Sequence, residues 1–173
     1  CGRLPIPGGT SGLQAGSNPG LLLAPCGGMS SPRPPRLRTF DYLGLHRYFL
    51  TVLTFGRNRV FVSGAAVDPV RSHVLRTAAD QQFAVSAYCF MHDHLHALVE
   101  GQSDSADFRR FVRLFKQLSG YGHQQSFCER LWSPGYFDHV LRNDEATLLI
   151  ARYILENPVR RGLVKTIEEY PFL

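Results

Sequence analysis

The run Tyr88-Cys89-Phe90-Met91-His92-Asp93-His94-Leu95-His96-Ala97-Leu98-Val99 holds two short apolar stretches joined at His92-Asp93. Residues 83–91 and 95–100 are too short for helices and rich in aromatic and β-branched side chains. They read as two strands with a tight connection between them. Side chains alternate across a strand, so His94 and His96 share one face while Leu95, Ala97 and Val99 share the other. Two imidazoles side by side on a pleated surface can share one divalent cation; in an apolar core they would need polar partners. The plainer alternative is a pair of partly exposed histidines on a sheet surface. His92 precedes the turn and is read as a flanking residue.

Working outward, residues 48–55 are β-branched and aromatic and close at Gly56-Arg57-Asn58, which makes them a strand. Residues 65–82 place Val67, Val70, Val74, Leu75 and Ala78 near helical spacing, with Asp68-Pro69 suited to an N-terminus. Residues 105–119 form a helix whose apolar stripe is Phe108, Phe111, Val112, Phe115 and Leu118. Residues 131–141, interrupted by Ser133-Pro134-Gly135, read as a short strand or edge segment. Asn143 or Asp144 can cap a final helix that runs to a break at Pro158. The order strand, helix, strand, strand, helix, strand, helix predicts an α+β fold. Its architecture is a ferredoxin-like split β-α-β sandwich, an antiparallel sheet with helices packed on one face.

The 173 residues include 44% hydrophobic and 12% aromatic side chains, enough to bury a core. Residues 1–38 hold 8 of the 16 glycines and 7 of the 11 prolines, with no periodic apolar pattern. They read as a disordered tail, leaving 39–173 as the domain, and Met29 is the expected natural start. That tail also carries Arg3, Arg33, Arg36 and Arg38 without an acid, so it supplies +4 of the net +5. Bulk charge therefore does not argue for nucleic acid; local clustering must. Cys1, Cys26, Cys89 and Cys128 form neither a CxxC pair nor a zinc-ribbon spacing. No stretch approaches the roughly 20 apolar residues of a membrane-spanning helix, so the expected compartment is the reducing cytoplasm.

Tyr153 and Asn157 lie four residues apart, on one face of the final helix. Tyr153 offers a hydroxyl nucleophile and Asn157 a carbonyl oxygen for a metal site. Asn157 precedes Pro158, which biases it away from helical geometry and places it in the last turn. The plainer alternative makes Tyr153 a half-buried aromatic and Asn157 a C-terminal cap. Tyr136 is a rival nucleophile, weaker because no polar partner follows four residues on. Arg109, Arg113 and Lys116 recur at i, i+4 and i+7, while Arg152, Arg160 and Arg161 cluster around Tyr153. Exposed aromatics such as Tyr121 or Phe137 could stack unpaired bases.

Three motifs now stand in order. The strand His94-Leu95-His96 resembles the His-hydrophobic-His strand of the HUH-type single-strand DNA transposases with one catalytic tyrosine. Trp132-Ser133-Pro134-Gly135-Tyr136-Phe137-Asp138-His139-Val140-Leu141-Arg142 and Tyr153-Ile154-Leu155-Glu156-Asn157-Pro158-Val159-Arg160-Arg161-Gly162-Leu163-Val164 resemble one branch of it, the REP-associated tyrosine transposases. Tyr170-Pro171-Phe172 also resembles that branch, and the likeness runs from about His46 to the C-terminus. The family usually has proline where His92 stands.

The resemblance implies a metal-dependent endonuclease and transposase, cutting and rejoining single-stranded DNA near palindromic hairpins through a 5′-phosphotyrosine. It implies a divalent ion, Mg or Mn, on His94, His96 and Asn157, with Tyr153 as nucleophile. Arg109, Arg113, Lys116, Arg152, Arg160 and Arg161 become candidate DNA contacts. The partner implied is single-stranded or hairpin DNA, with no membrane, in a nucleoid-associated monomer or homodimer. Two alternatives stay open: a domesticated hairpin-binding protein without cleavage, and a metal-dependent hydrolase that uses water.

Overall fold

The computed structural model describes residues 40–141 and 144–173. The tail expected over 1–38 and the Asn143 cap lie outside the described residues. Seven main elements follow in chain order: β1 Arg47–Leu53, α1 Gly64–Asp80, β2 Phe83–Met91, β3 His94–Gly101, α2 Phe108–Phe127, β4 Phe137–Leu141 and α3 Asp144–Arg160. The four strands form one sheet in the order β2-β3-β1-β4. Every neighbouring pair is antiparallel.

Strand periodicity explains the layering. In β1, Tyr48, Leu50 and Val52 are buried on one face, and in β3 Leu95, Ala97 and Val99 join them. Above this face lie Val67, Val70, Val74 and Ala78 of α1 with Phe108, Phe111, Val112 and Phe115 of α2. The Tyr48 ring stacks on Phe108 at 3.9 Å, an aromatic pair of the kind that adds about 0.5–1.5 kcal/mol beyond its area burial. These two helices share a face as the sequence predicts. The third covers the opposite face: α3 packs on β2 and β3, and its Tyr153 ring meets Phe49 and His96, which alternate with the core residues. Strand β3 is therefore sandwiched and almost wholly buried.

Two helices run further than expected. Asp107 caps α2, its side chain accepting from Arg110 N at 2.9 Å, and the helix continues past Gly120 and Gly122 to Cys128 in a left-handed turn. Packing offsets the glycines' low helix propensity: a Cβ on Gly120 would sit 3.6 Å from Trp132, and one on Gly122 3.5 Å from His73.

Helix α3 likewise passes Pro158 instead of breaking there. Proline in the last turn forfeits few ladder bonds. Beyond it the chain closes with Gly162 N to Val159 O and Leu163 N to Pro158 O, both 2.9 Å, and Gly162 at φ 67°. That Schellman closure satisfies the last carbonyls and keeps Asn157 helical.

The C-terminal segment covers the outer edge of β2. Phe90 N donates to Phe172 O at 3.0 Å, and the Tyr170 hydroxyl donates to Phe90 O at 2.8 Å. An edge strand thereby loses part of its exposed ladder. Among the described residues, no helix is long and apolar enough to cross a membrane.

Candidate active site

The β2–β3 hairpin turns through His92 and Asp93 alone, with Met91 paired to His94. The register sets Thr51 of β1 and Cys89 of β2 on either side of His96. Both histidines face α3 and are buried, 3% and 5% exposed. The plainer alternative of a partly exposed surface pair does not hold, because α3 covers that face.

Their ring nitrogens converge, His94 Nε2 lying 3.1 Å from His96 Nε2. Each opposite nitrogen is held. His94 Nδ1 is 2.6 Å from Asp93 Oδ1, and His96 Nδ1 is 2.8 Å from Thr51 Oγ1. An ionised carboxylate only accepts, so His94 carries a proton on Nδ1, and in the neutral ring Nε2 then holds the lone pair. The Thr51 hydroxyl both donates and accepts. It suits a His96 tautomer that donates across the pair as well as one with both Nε2 lone pairs exposed. Burial, then the neighbouring His94, pushes His96 well below the ordinary imidazole range, so that ring is neutral at neutral pH. Burial pushes Asp93 up, but His94 and Arg57 outweigh it and leave the carboxyl below its usual value. Arg57 Nε lies 2.8 Å from the other Asp93 oxygen.

Tyr153 completes the cluster, half-buried, its ring centroid 5.9 Å from that of His96 and 5.9 Å from that of Phe49. The Arg160 guanidinium carbon stands 5.2 Å from the Tyr153 centroid. Asn157, one turn on from Tyr153, is 3% exposed, and its Nδ2 has no hydrogen-bond partner. A buried amide with an unspent polar atom is the exception in a folded core.

Other expected site residues lie elsewhere. The rival Tyr136 packs its ring 5.9 Å from Phe108, in the layer on the far face of the sheet. His92 Nδ1 accepts from Arg59 Nη2 at 2.8 Å, and burial with that cation lowers its pKa, so it is engaged away from the pair. Arg109 stacks over Tyr42 at 4.5 Å, and with Arg113 and Lys116 it belongs to α2, across the sheet from Tyr153. The Lys116 ammonium donates to the carbonyls of Ser133, at 3.0 Å, and Gly135. That makes it a strut for the segment leading into β4. Arg152 is 2.6 Å from Glu156 on exposed α3 surface, and Arg161 follows the helix end. Tyr121 is 67% exposed on α2 and Phe137 half-buried in β4. Thr51, Arg57 and Asp93 were not anticipated. Asp93 adjoins His94 in sequence, whereas Thr51 becomes a neighbour only through sheet register.

The residues fit a divalent ion. Ligands roughly 2.1 Å from a shared ion stand about 3 Å apart when they subtend a right angle, as the two Nε2 atoms do. Histidine ligands usually have the second nitrogen held by a carboxylate, a backbone carbonyl or water, and Asp93 supplies such a carboxylate for His94. Among the described residues, no group of three or more His, Cys, Asp and Glu could hold a metal. Further ligands would have to come from Asn157 or from oxygens of the substrate.

The chain has relatives among known proteins. A relative from Escherichia coli (strain K12), named REP-associated tyrosine transposase, is 27% identical over 107 residues, 60% of this chain and 61% of its own length. The chain thus matches less than two thirds of that relative. A Haemophilus influenzae protein carrying the same name provisionally is 25% identical over 78% of this chain and 81% of its own. A solved REP-associated tyrosine transposase bound to a REP hairpin superposes with a TM-score of 0.66 at 23% identity, covering 83% of this chain and 81% of that one. The likeness is one of fold. The model of the IS200-like transposases matches residues 44–157, a span that contains both histidines, Tyr153 and Asn157, and the chain belongs to that family.

Proposed function

We propose that this chain is a REP-associated tyrosine transposase, which cuts and rejoins single-stranded DNA beside palindromic hairpins. One observation carries the reading: Tyr153 stands against His96, whose Nε2 faces that of His94. A nucleophile and a two-imidazole site converge beneath one helix, while the rival Tyr136 is on the other side of the sheet.

The chemistry is transesterification. The Tyr153 oxygen bonds to phosphorus, the bond from phosphorus to the 3′-oxygen breaks, and the phenol proton ends on that leaving oxygen. The products are a 5′-phosphotyrosine and a free 3′-hydroxyl. Attack by another 3′-hydroxyl on the phosphotyrosine restores the phenol, so no nucleotide cofactor is consumed. A phenol has a pKa of about 10 and attacks poorly until activated. A divalent ion, Mg or Mn, held by His94, His96 and Asn157 would supply Lewis-acid stabilisation of the phosphate charge. Neutral imidazoles leave that charge undiminished. Asp93 and Thr51 fix the ring orientations, and Arg160 places a cation at the nucleophile, where a phosphate must approach.

The decisive experiment is a denaturing gel of the protein with labelled hairpin DNA, with and without Mn or Mg. A metal-dependent covalent adduct that disappears in Tyr153→Phe, with hairpin binding retained, is expected. Cleavage unchanged in Tyr153→Phe would overturn the reading and favour water as nucleophile. Tight binding without any adduct would favour a binding protein.

A further inference from the structure

A cavity of about 250 Å3 opens at the end of the layer formed by α1 and α2, its wall including Asn58, Arg59, Val60, His123, Phe127 and Glu129. The mechanism above uses none of them. His123 is only 6% exposed, and its Nε2 has no hydrogen-bond partner. A buried ring nitrogen with unspent capacity is a standing demand for a ligand or an ordered water. Burial also holds His123 below the usual imidazole range, so it presents a neutral ring.

The platform beside it is flat. Phe127 stacks on His123 with centroids 4.6 Å apart and planes 30° apart, and it is 45% exposed. The rim carries one cation, Arg59, and one anion, Glu129. A phosphate would meet the carboxylate and be repelled. A neutral heterocycle with donors and acceptors on its edge would find complements in guanidinium, carboxamide and carboxylate. The volume falls below the roughly 300 Å3 at which drug-sized pockets begin, which suits a single ring system.

Position supports the same occupant. Arg59, which lines the cavity, donates to His92 at 2.8 Å, and His92 opens the turn that leads to Asp93 and His94. The cavity and the hairpin that carries the histidine pair therefore lie at the same end of the sheet. Resting on the DNA reading of the preceding subsection, we propose that this cavity takes one unpaired nucleobase of the strand flanking the cleavage site, stacked on Phe127.

The test uses the full chain and labelled hairpins of several stem sequences, each with unpaired nucleotides on both sides. A parallel set removes the base from each unpaired nucleotide in turn. Removing one particular base is expected to weaken binding roughly tenfold, the scale of a base–aromatic stack. Phe127→Ala weakens the intact hairpin by the same factor, and the two changes together cost no more than either alone. Glu129→Gln, on the exposed rim, changes which base is preferred at that position. Wild-type protein that binds the hairpin, with losses from Phe127→Ala and from every base removal that simply add, overturns the cavity assignment while leaving the DNA reading intact. Wild-type protein that binds none of the hairpins overturns both.

Discussion

Asp93 lies 2.6 Å from the Nδ1 of His94 through one carboxylate oxygen, while its other oxygen is 2.8 Å from Arg57. The same residue's carbonyl accepts from Thr54 N at 3.0 Å and from Thr54 Oγ1 at 2.9 Å. Arg57 reaches it from a turn in which Gly56 and Arg57 both have left-handed φ, 62° and 59°. Such a backbone is costly for arginine and persists where the surrounding contacts fix it. The carboxylate is thus clamped, and it clamps the His94 ring in the tautomer that exposes Nε2. Asp93→Asn keeps the shape and removes the charge. Calorimetry with Mn is expected to show affinity falling by roughly 10- to 100-fold, with the melting temperature little changed. Equal affinity in the two proteins would remove Asp93 from the site.

His96 gives a pH prediction whose sign follows from burial. Its folded pKa lies well below the ordinary value of 6.5, so between those two values the unfolded chain binds a proton that the folded chain refuses. Stability is then full above about pH 6.5 and is lost as pH falls below it. The slope approaches about 1.4 kcal/mol per pH unit for that one proton. His92 and His123 are lowered too and act in the same direction. Denaturant melts of wild type and His96→Gln between pH 7.5 and 5 isolate the contribution, because the variant should show a shallower decline. Parallel curves would mean that His96 titrates normally.

Much of this was legible from periodicity. Alternation in β3 put His94 and His96 on one face, and the i, i+4 spacing put Tyr153 and Asn157 on another. What the sequence could not supply was which layer covers which face. Nothing local says that α3 crosses to the side opposite α1 and α2, so the buried state of the histidines was missed. Pro158 and the glycines of α2 misled for a related reason: local breaker signals were overridden by the Gly162 closure and by close packing against Trp132 and His73. Thr51 and Arg57 are 45 and 36 residues from the side chains they serve, His96 and Asp93. Only the sheet register and the folded turn bring them there.

Lys116, a candidate DNA contact, can also be read as a structural strut, and the two readings are separable by measurement. Its ammonium serves two backbone carbonyls, those of Ser133 and Gly135, from a half-buried position. Lys116→Met keeps most of the aliphatic stem and leaves both acceptors without that donor. A loss of about 1–2 kcal/mol in a chemical melt is expected. On the strut reading the salt dependence of hairpin binding should not change, because the ammonium is held at those carbonyls and not at a phosphate. A slope reduced by one full phosphate contact, with stability intact, would return Lys116 to the DNA surface.

Arg160 and Arg113 separate the two faces of the sheet. Arg160 stands 5.2 Å from the ring of the proposed nucleophile, whereas Arg113 is exposed on α2, across the sheet. With Tyr153 as the proposed nucleophile, a guanidinium beside it would meet the phosphate during attack, so Arg160→Ala should lower the rate of adduct formation at saturating DNA. It should also reduce the slope of log affinity against log salt by roughly one contact. Arg160→Lys keeps the charge but gives up the planar fork, so it should restore the salt slope more fully than the rate. Arg113→Ala, in contrast, can alter affinity and its salt slope but not the saturated rate, because its helix never reaches the histidine face. Single-turnover kinetics over a salt series decides between these outcomes. A saturated rate lowered by Arg113→Ala and untouched by Arg160→Ala would place the reacting phosphate on the α2 side and displace Tyr153 as nucleophile.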